Sequence, residues 1–218
     1  EEAKKDIGRF YPNDPDGSIQ VGYYWMRTVP CQNPSCKAHI PLTTNWWLAN
    51  KSRRKIALYP YAKVGKVEFK IVGTGYEKMP DDFDPDKGTV SRAVAVCPVC
   101  GSAVEAKTTR RLFQEGKSGE RMVDVILTMP GEMGKRYRVA TEEDMEAFNK
   151  AAEYMEEKRR KLHDLWGIDP VPNEPTPEGS GSGAERAFSV YRYGMTTWGS
   201  LFNARQKLSL ITFTDKVR

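Results

Sequence analysis

An α+β fold is predicted by three features of the sequence. Aromatic and β-branched runs of strand length recur through the first 140 residues, the pattern changes to helical spacing at residue 141, and two cysteine pairs lie at the ends of strand-like segments. The expected organisation is a β-rich region over residues 1–140, one long amphipathic helix over 141–168, a Pro/Gly/Ser spacer over 169–187, and a segment containing a C-terminal helix over 188–218.

Turn residues crowd Tyr11-Pro12-Asn13-Asp14-Pro15-Asp16-Gly17, and a strand is expected over 19–28, leading to the first cysteine pair. Residues 55–59 and 66–72 alternate in polarity on either side of Gly65, the pattern of an antiparallel β-hairpin. Residues 79–88 hold Pro80-Asp81-Asp82-Phe83-Asp84-Pro85-Asp86 and read as an exposed loop. A single strand over 90–96 should then reach the second cysteine pair, and a further strand is expected over 122–127. Thr141-Glu142-Glu143-Asp144 has the form of a helix-start box with Thr141 as cap. Met145, Phe148, Ala152, Met155 and Leu162 follow at helical spacing. Prolines 170, 172, 175 and 177 precede Gly179-Ser180-Gly181-Ser182-Gly183, a flexible linker that is either natural or an engineered join. Asn203 and Gln206 can open the last helix, whose Leu208, Ile211 and Phe213 need apolar cover.

The chain has 218 residues, enough for a sizeable core, and 34 Lys and Arg against 29 Asp and Glu give it a net charge of +5. No apolar run approaches membrane-spanning length. The opening residues Glu1-Glu2-Ala3-Lys4-Lys5-Asp6 include no initiator Met and no signal-peptide pattern, and the last apolar segment runs to Arg218 without a stop signal. The expectation is a soluble, cytoplasmic piece of a longer polypeptide.

Cys97-Pro98-Val99-Cys100-Gly101 is a Cys-x-x-Cys turn in which Gly101 lets backbone amides approach the sulfurs. Cys31-Gln32-Asn33-Pro34-Ser35-Cys36 is a looser pair whose spacing still suits a structural zinc ligand set. Together Cys31, Cys36, Cys97 and Cys100 would saturate a tetrahedral ion and leave no position for water, which makes the expected zinc structural, in a zinc ribbon. Two disulfides are the competing reading, disfavoured by the lack of secretory signals. A redox pair at Cys97 and Cys100 is the other, disfavoured because no helix is expected immediately after it. His39 is expected to be a bystander.

No Gly-rich phosphate loop, His-Glu-x-x-His or Gly-x-Ser-x-Gly is present, and His39 and His163 are the only histidines, so no catalytic residue is assigned. Asp81, Asp82, Asp84 and Asp86 lack the terminal Glu of a calcium loop and are interrupted by proline. Lys51-Ser52-Arg53-Arg54-Lys55 follows Trp46-Trp47 directly. A solvated loop is the ordinary reading of such a run; the functional reading has Lys51, Arg53, Arg54 and Lys55 on nucleic-acid phosphates, with Trp46 or Trp47 stacking on bases.

Taken in order, Val29-Pro30-Cys31-Gln32-Asn33-Pro34-Ser35-Cys36, Ile40-Pro41-Leu42, Trp46-Trp47-Leu48, Cys97-Pro98-Val99-Cys100-Gly101 and Tyr193-Gly194-Met195-Thr196-Thr197-Trp198-Gly199-Ser200-Leu201-Phe202-Asn203-Ala204-Arg205-Gln206 resemble the large prokaryotic adenine-specific DNA methylases that contain a zinc ribbon. The resemblance covers most of the chain. It implies a Rossmann-like core that uses S-adenosylmethionine, with the zinc-ribbon region inserted between the cofactor motif and an Asp-Pro-Pro-Tyr type catalytic motif. Neither core motif occurs here, so no catalytic or cofactor residue is carried over, and Ser200 stands where the family pattern has an acidic residue. The implied partners are DNA and the methyltransferase core of the same polypeptide, in restriction-modification or phage defence. The alternative is a structural or protein-interaction module that braces the core without touching DNA.

Overall fold

In the computed structural model residues 1–179 and 188–217 are described. Ser180 to Gly183 of the expected linker lie outside the described residues. The chain divides into two compact units, one of residues 21–140 and one of residues 1–20 with 141–218. Residues 1–20, expected with the β-rich region, therefore group with the helical segment.

The unit of residues 21–140 is built on antiparallel strands. β1 (Ile19–Pro30) pairs antiparallel with β2 (His39–Pro41). β3 (Trp47–Lys51), β4 (Arg54–Lys63) and β5 (Lys66–Gly73) form a second sheet in that order. β6 (Val90–Ser91), β7 (Val94–Val96) and β8 (Ala103–Val104) form a small third sheet. After α2 (Ala106–Gln114), β9 (Gly119–Thr128) and β10 (Arg136–Val139) complete the first sheet in the order β10-β9-β1-β2. Val67, Phe69 and Ile71 recur every second residue on β5 and are buried with Ile56 and Leu58 of β4, Met26 of β1, Val123 of β9 and Trp46. Each such side chain stabilises the fold by about 1.5–3 kcal/mol relative to an exposed one.

The β4–β5 hairpin closes through Val64 and Gly65, both at positive φ (48° and 71°), the two-residue geometry that matches strand twist. Residues 90–96, expected as one strand, are instead a hairpin. Arg92 and Ala93 turn the chain at φ 49° and 65°, and neither residue type signals such a turn. β2, β8, β10 and α2 were not expected. β10 reads Arg-Tyr-Arg-Val, and α2 is preceded by Glu105, whose side chain makes no capping bond. The acidic loop is pinned to the chain before β3, with Gly88 N–H donating to Thr44 O and Trp46 N–H to Pro85 O. A Cβ on Gly88 would lie 2.1 Å from the Thr43 carbonyl oxygen, so no larger residue fits there without backbone movement.

The other unit is helical. α1 (Glu2–Ile7) runs into a 3-10 turn at Gly8–Phe10, and α3 (Glu142–Trp166) and α4 (Ala204–Val217) supply the rest of the core. The expected cap is present: Thr141 N–H donates to Asp144 Oδ2 at 2.8 Å, and Asp144 N–H to Thr141 Oγ1 at 3.4 Å. Asn203 and Gln206 likewise exchange two bonds of 3.0 Å at the start of α4. Ile7, Phe10, Ala151, Met155, Leu162, Val171, Leu208 and Ile211 form one cluster. The buried line on α3 runs Asp144, Phe148, Ala151, Met155, Lys158, Leu162, with Met145 and Ala152 half-buried at its edge. Lys158 thus occupies a core position, paired with Asp6 and, at 3.5 Å, with Asp215. Among the described residues no helix is long and apolar enough to cross a membrane.

Candidate metal centre and basic surface

Each cysteine pair sits in the turn of a two-stranded hairpin. Cys31 follows β1 and Cys36 precedes β2, while Cys97 follows β7 and Cys100 precedes β8. In the first turn Cys31 N–H donates to Ala38 O and Cys36 N–H to Asn33 O; in the second Cys97 N–H donates to Ser102 O and Gly101 N–H to Cys97 O. Gly101 stands at φ +73°, the left-handed conformation expected of it. Backbone amides favour the thiolate form of three of the cysteines: those of Val99 and Cys100 act on Cys97, that of Ser102 on Cys100 and that of Asn33 on Cys31.

The four sulfurs lie within 4.8 Å of one another, with Cys31 and Cys100 Sγ 3.6 Å apart and Cys36 and Cys97 Sγ 3.8 Å apart. All four thiols are free, and these separations are far beyond a disulfide bond of about 2.05 Å. A tetrahedral ion with metal–sulfur bonds of about 2.3 Å needs its sulfurs about 3.8 Å apart, so the cluster fits such an ion with little adjustment. The four cysteines are therefore positioned to bind a metal ion. Burial pushes the Cys31 thiol up to about 12 and raises Cys97, whereas the hydroxyl and amide of Ser102 draw the exposed Cys100 down to about 6. Metal binding to such a set displaces protons from the buried thiols. His39 is not part of the cluster, and among the described residues Asp81, Asp82, Asp84 and Asp86 form no comparable one.

The basic run lies at the β3–β4 turn. Lys51, Arg53 and Lys55 are exposed; Arg54 is half-buried, donates to the Lys135 carbonyl and stands 6.0 Å from the Tyr137 ring centroid. Lys51 and Arg54 join Lys135, Thr128, Glu132 and Tyr137 around a concavity of about 420 Å³. Lys135 was not identified from the sequence, because it is 81 residues from Arg54 and nothing in its surroundings marks it. The two tryptophans are not alike. Trp46 is 4% exposed and donates from Nε1 to Lys87 O, which leaves no ring face for a base. Trp47 is half-buried and donates from Nε1 to Asp86 Oδ1 at 2.8 Å, so it stands beside the basic turn but is tethered to the acidic loop.

This geometry defines the class, an α+β protein with four cysteines in paired β-turns positioned to bind a metal ion. No protein-family model, curated protein or solved structure matches the chain.

Proposed function

We propose that this chain is the zinc-ribbon accessory region of an S-adenosylmethionine-dependent adenine-specific DNA methyltransferase, and that it binds or positions DNA for a catalytic core carried elsewhere in the same cytoplasmic polypeptide. The observation that carries the reading is the four-thiolate cluster closing two hairpin turns, in the same compact unit as Lys51, Arg53, Lys55 and Lys135, which supply exposed or cleft-lining cations. Zinc is the ion proposed, since four soft thiolates in tetrahedral array suit it and leave no open coordination site. Its role is structural. A base must leave the duplex to be methylated, so a module that grips phosphates beside the target can share the work of holding the strand. Arg54 serves the fold first, through Lys135 and Tyr137, and Lys51, Arg53, Lys55 and Lys135 are the phosphate contacts assigned.

Binding of the metal-loaded chain to short DNA duplexes across a salt series tests this. Neutralising Lys51, Arg53 and Lys55 together is expected to weaken binding and to flatten its salt dependence by about three counterions, one per lost contact. Unchanged affinity and slope would remove the basic turn from the interface. A second reading, a module that braces the methyltransferase core, is favoured by α4, where Leu210, Phe213 and Val217 form an exposed apolar stripe at helical spacing. Under that reading the same triple neutralisation leaves DNA affinity unaltered.

A further inference from the structure

We propose that α2 is a second phosphate-contacting surface, placed by the metal centre and independent of the basic turn. The proposal rests on the nucleic-acid reading above. α2 turns Thr109, Leu112 and Phe113 inward and presents Lys107, Arg111 and Gln114 to solvent, with Arg110 half-buried at the edge. Lys107, Thr108, Arg110, Arg111 and Gln114 line one concavity of about 400 Å³.

Three properties make this concavity a seat for phosphate. No acidic residue occurs between Ala106 and Gln114, so its three cations are uncompensated within the helix. Among the described residues Lys107 and Arg110 form no ion pair, and Arg111 has only a 3.9 Å approach to Glu115, which Lys117 holds more closely at 2.8 Å. Like charges three and four residues apart on a helix repel by a few tenths of a kcal/mol each, a cost that a bound polyanion relieves. Two of the three are arginines, whose planar donors match phosphate oxygens in pairs, and Thr108 adds a neutral donor.

The metal centre determines where this face points. Cys97 and Cys100 occupy the β7–β8 turn, β8 pairs with β7, and α2 starts two residues after β8. Fixing the turn fixes the helix. Contacts of this kind carry no sequence information, so the surface is expected to grip any duplex.

The test compares the metal-loaded full chain with a triple variant, Lys107→Gln, Arg110→Gln and Arg111→Gln, on several 20-base-pair duplexes of unrelated sequence over a salt series. Metal content and circular dichroism confirm that the variant folds. Expected is a loss of about tenfold or more, equal for all sequences, with a salt slope shallower by about three. If the parent chain binds and the triple variant binds equally well with the same slope, α2 is not a contact surface, while the nucleic-acid reading survives. If the parent binds no duplex at low salt, both fail.

Discussion

Removing the metal tests the fold as well as the site. The ion would bridge Cys36 to Cys97, 61 residues apart, and Cys31 to Cys100, 69 residues apart. Closing a loop of about 65 residues restricts the unfolded chain by about 4 kcal/mol if the bridge is treated as a single cross-link. With a urea dependence of about 2 kcal/mol per molar, that stabilisation corresponds to a midpoint shift of about 2 M. Urea unfolding of the metal-loaded, chelator-stripped and Cys97→Ser proteins, followed by near-ultraviolet circular dichroism, measures it. The stripped and Cys97→Ser proteins should both unfold at lower urea and agree with each other. Coincident midpoints with and without chelator would refute the cross-link, because no other change accompanies metal removal.

Three further outcomes follow from side chains away from the centre. Asp124 is fully buried on β9, neither of its oxygens is hydrogen-bonded among the described residues, and burial raises its pKa from 3.8 to about 8 against the pull of Arg138. Below the unfolded value the group is protonated in both states and adds no pH dependence; from there to about pH 8 stability should fall by up to about 1.4 kcal/mol per pH unit, a slope absent from Asp124→Asn in urea titrations at several pH values, and parallel curves would contradict it. Val64 is 94% exposed yet holds φ 48°, so Val64→Asn should raise stability by about 1 kcal/mol without loss of packing, and a lower midpoint would disprove the strain. Lys158→Ala strips Asp6 and Asp215 of their shared cation. Thermal unfolding should show a cost of about 3 kcal/mol, and a change below about 0.5 would mean the pair is already hydrated.

The sequence was legible wherever one residue type dictates one geometry. Thr141 with Asp144 and Asn203 with Gln206 form the expected caps because their side chains satisfy helix-end amides. The two cysteine pairs converge as their spacing implies, and Gly65 closes the hairpin between β4 and β5. Illegible were features set by distant neighbours. Arg92 and Ala93 make a tight turn that neither favours alone, Lys158 occupies a core position only because Asp6 and Asp215 meet it there, and Lys135 joins the basic turn from another hairpin. α2 was obscured by its two threonines and uncapped start, yet its buried Thr109, Leu112 and Phe113 have the spacing of a helix face. The Trp46-Trp47 pair shows the same limit, since adjacency in sequence does not tell which ring lies in the core.

Under the proposed function a metal-closed pair of turns organises a DNA-binding surface. The most direct measurement is the affinity of the full chain for a short DNA duplex at low salt, metal-loaded against chelator-stripped, with metal content determined on the same samples. One zinc per chain is expected, with salt-dependent binding that weakens at least about tenfold on stripping. Absence of bound zinc, or equal affinity with and without it, would contradict a metal-organised DNA surface.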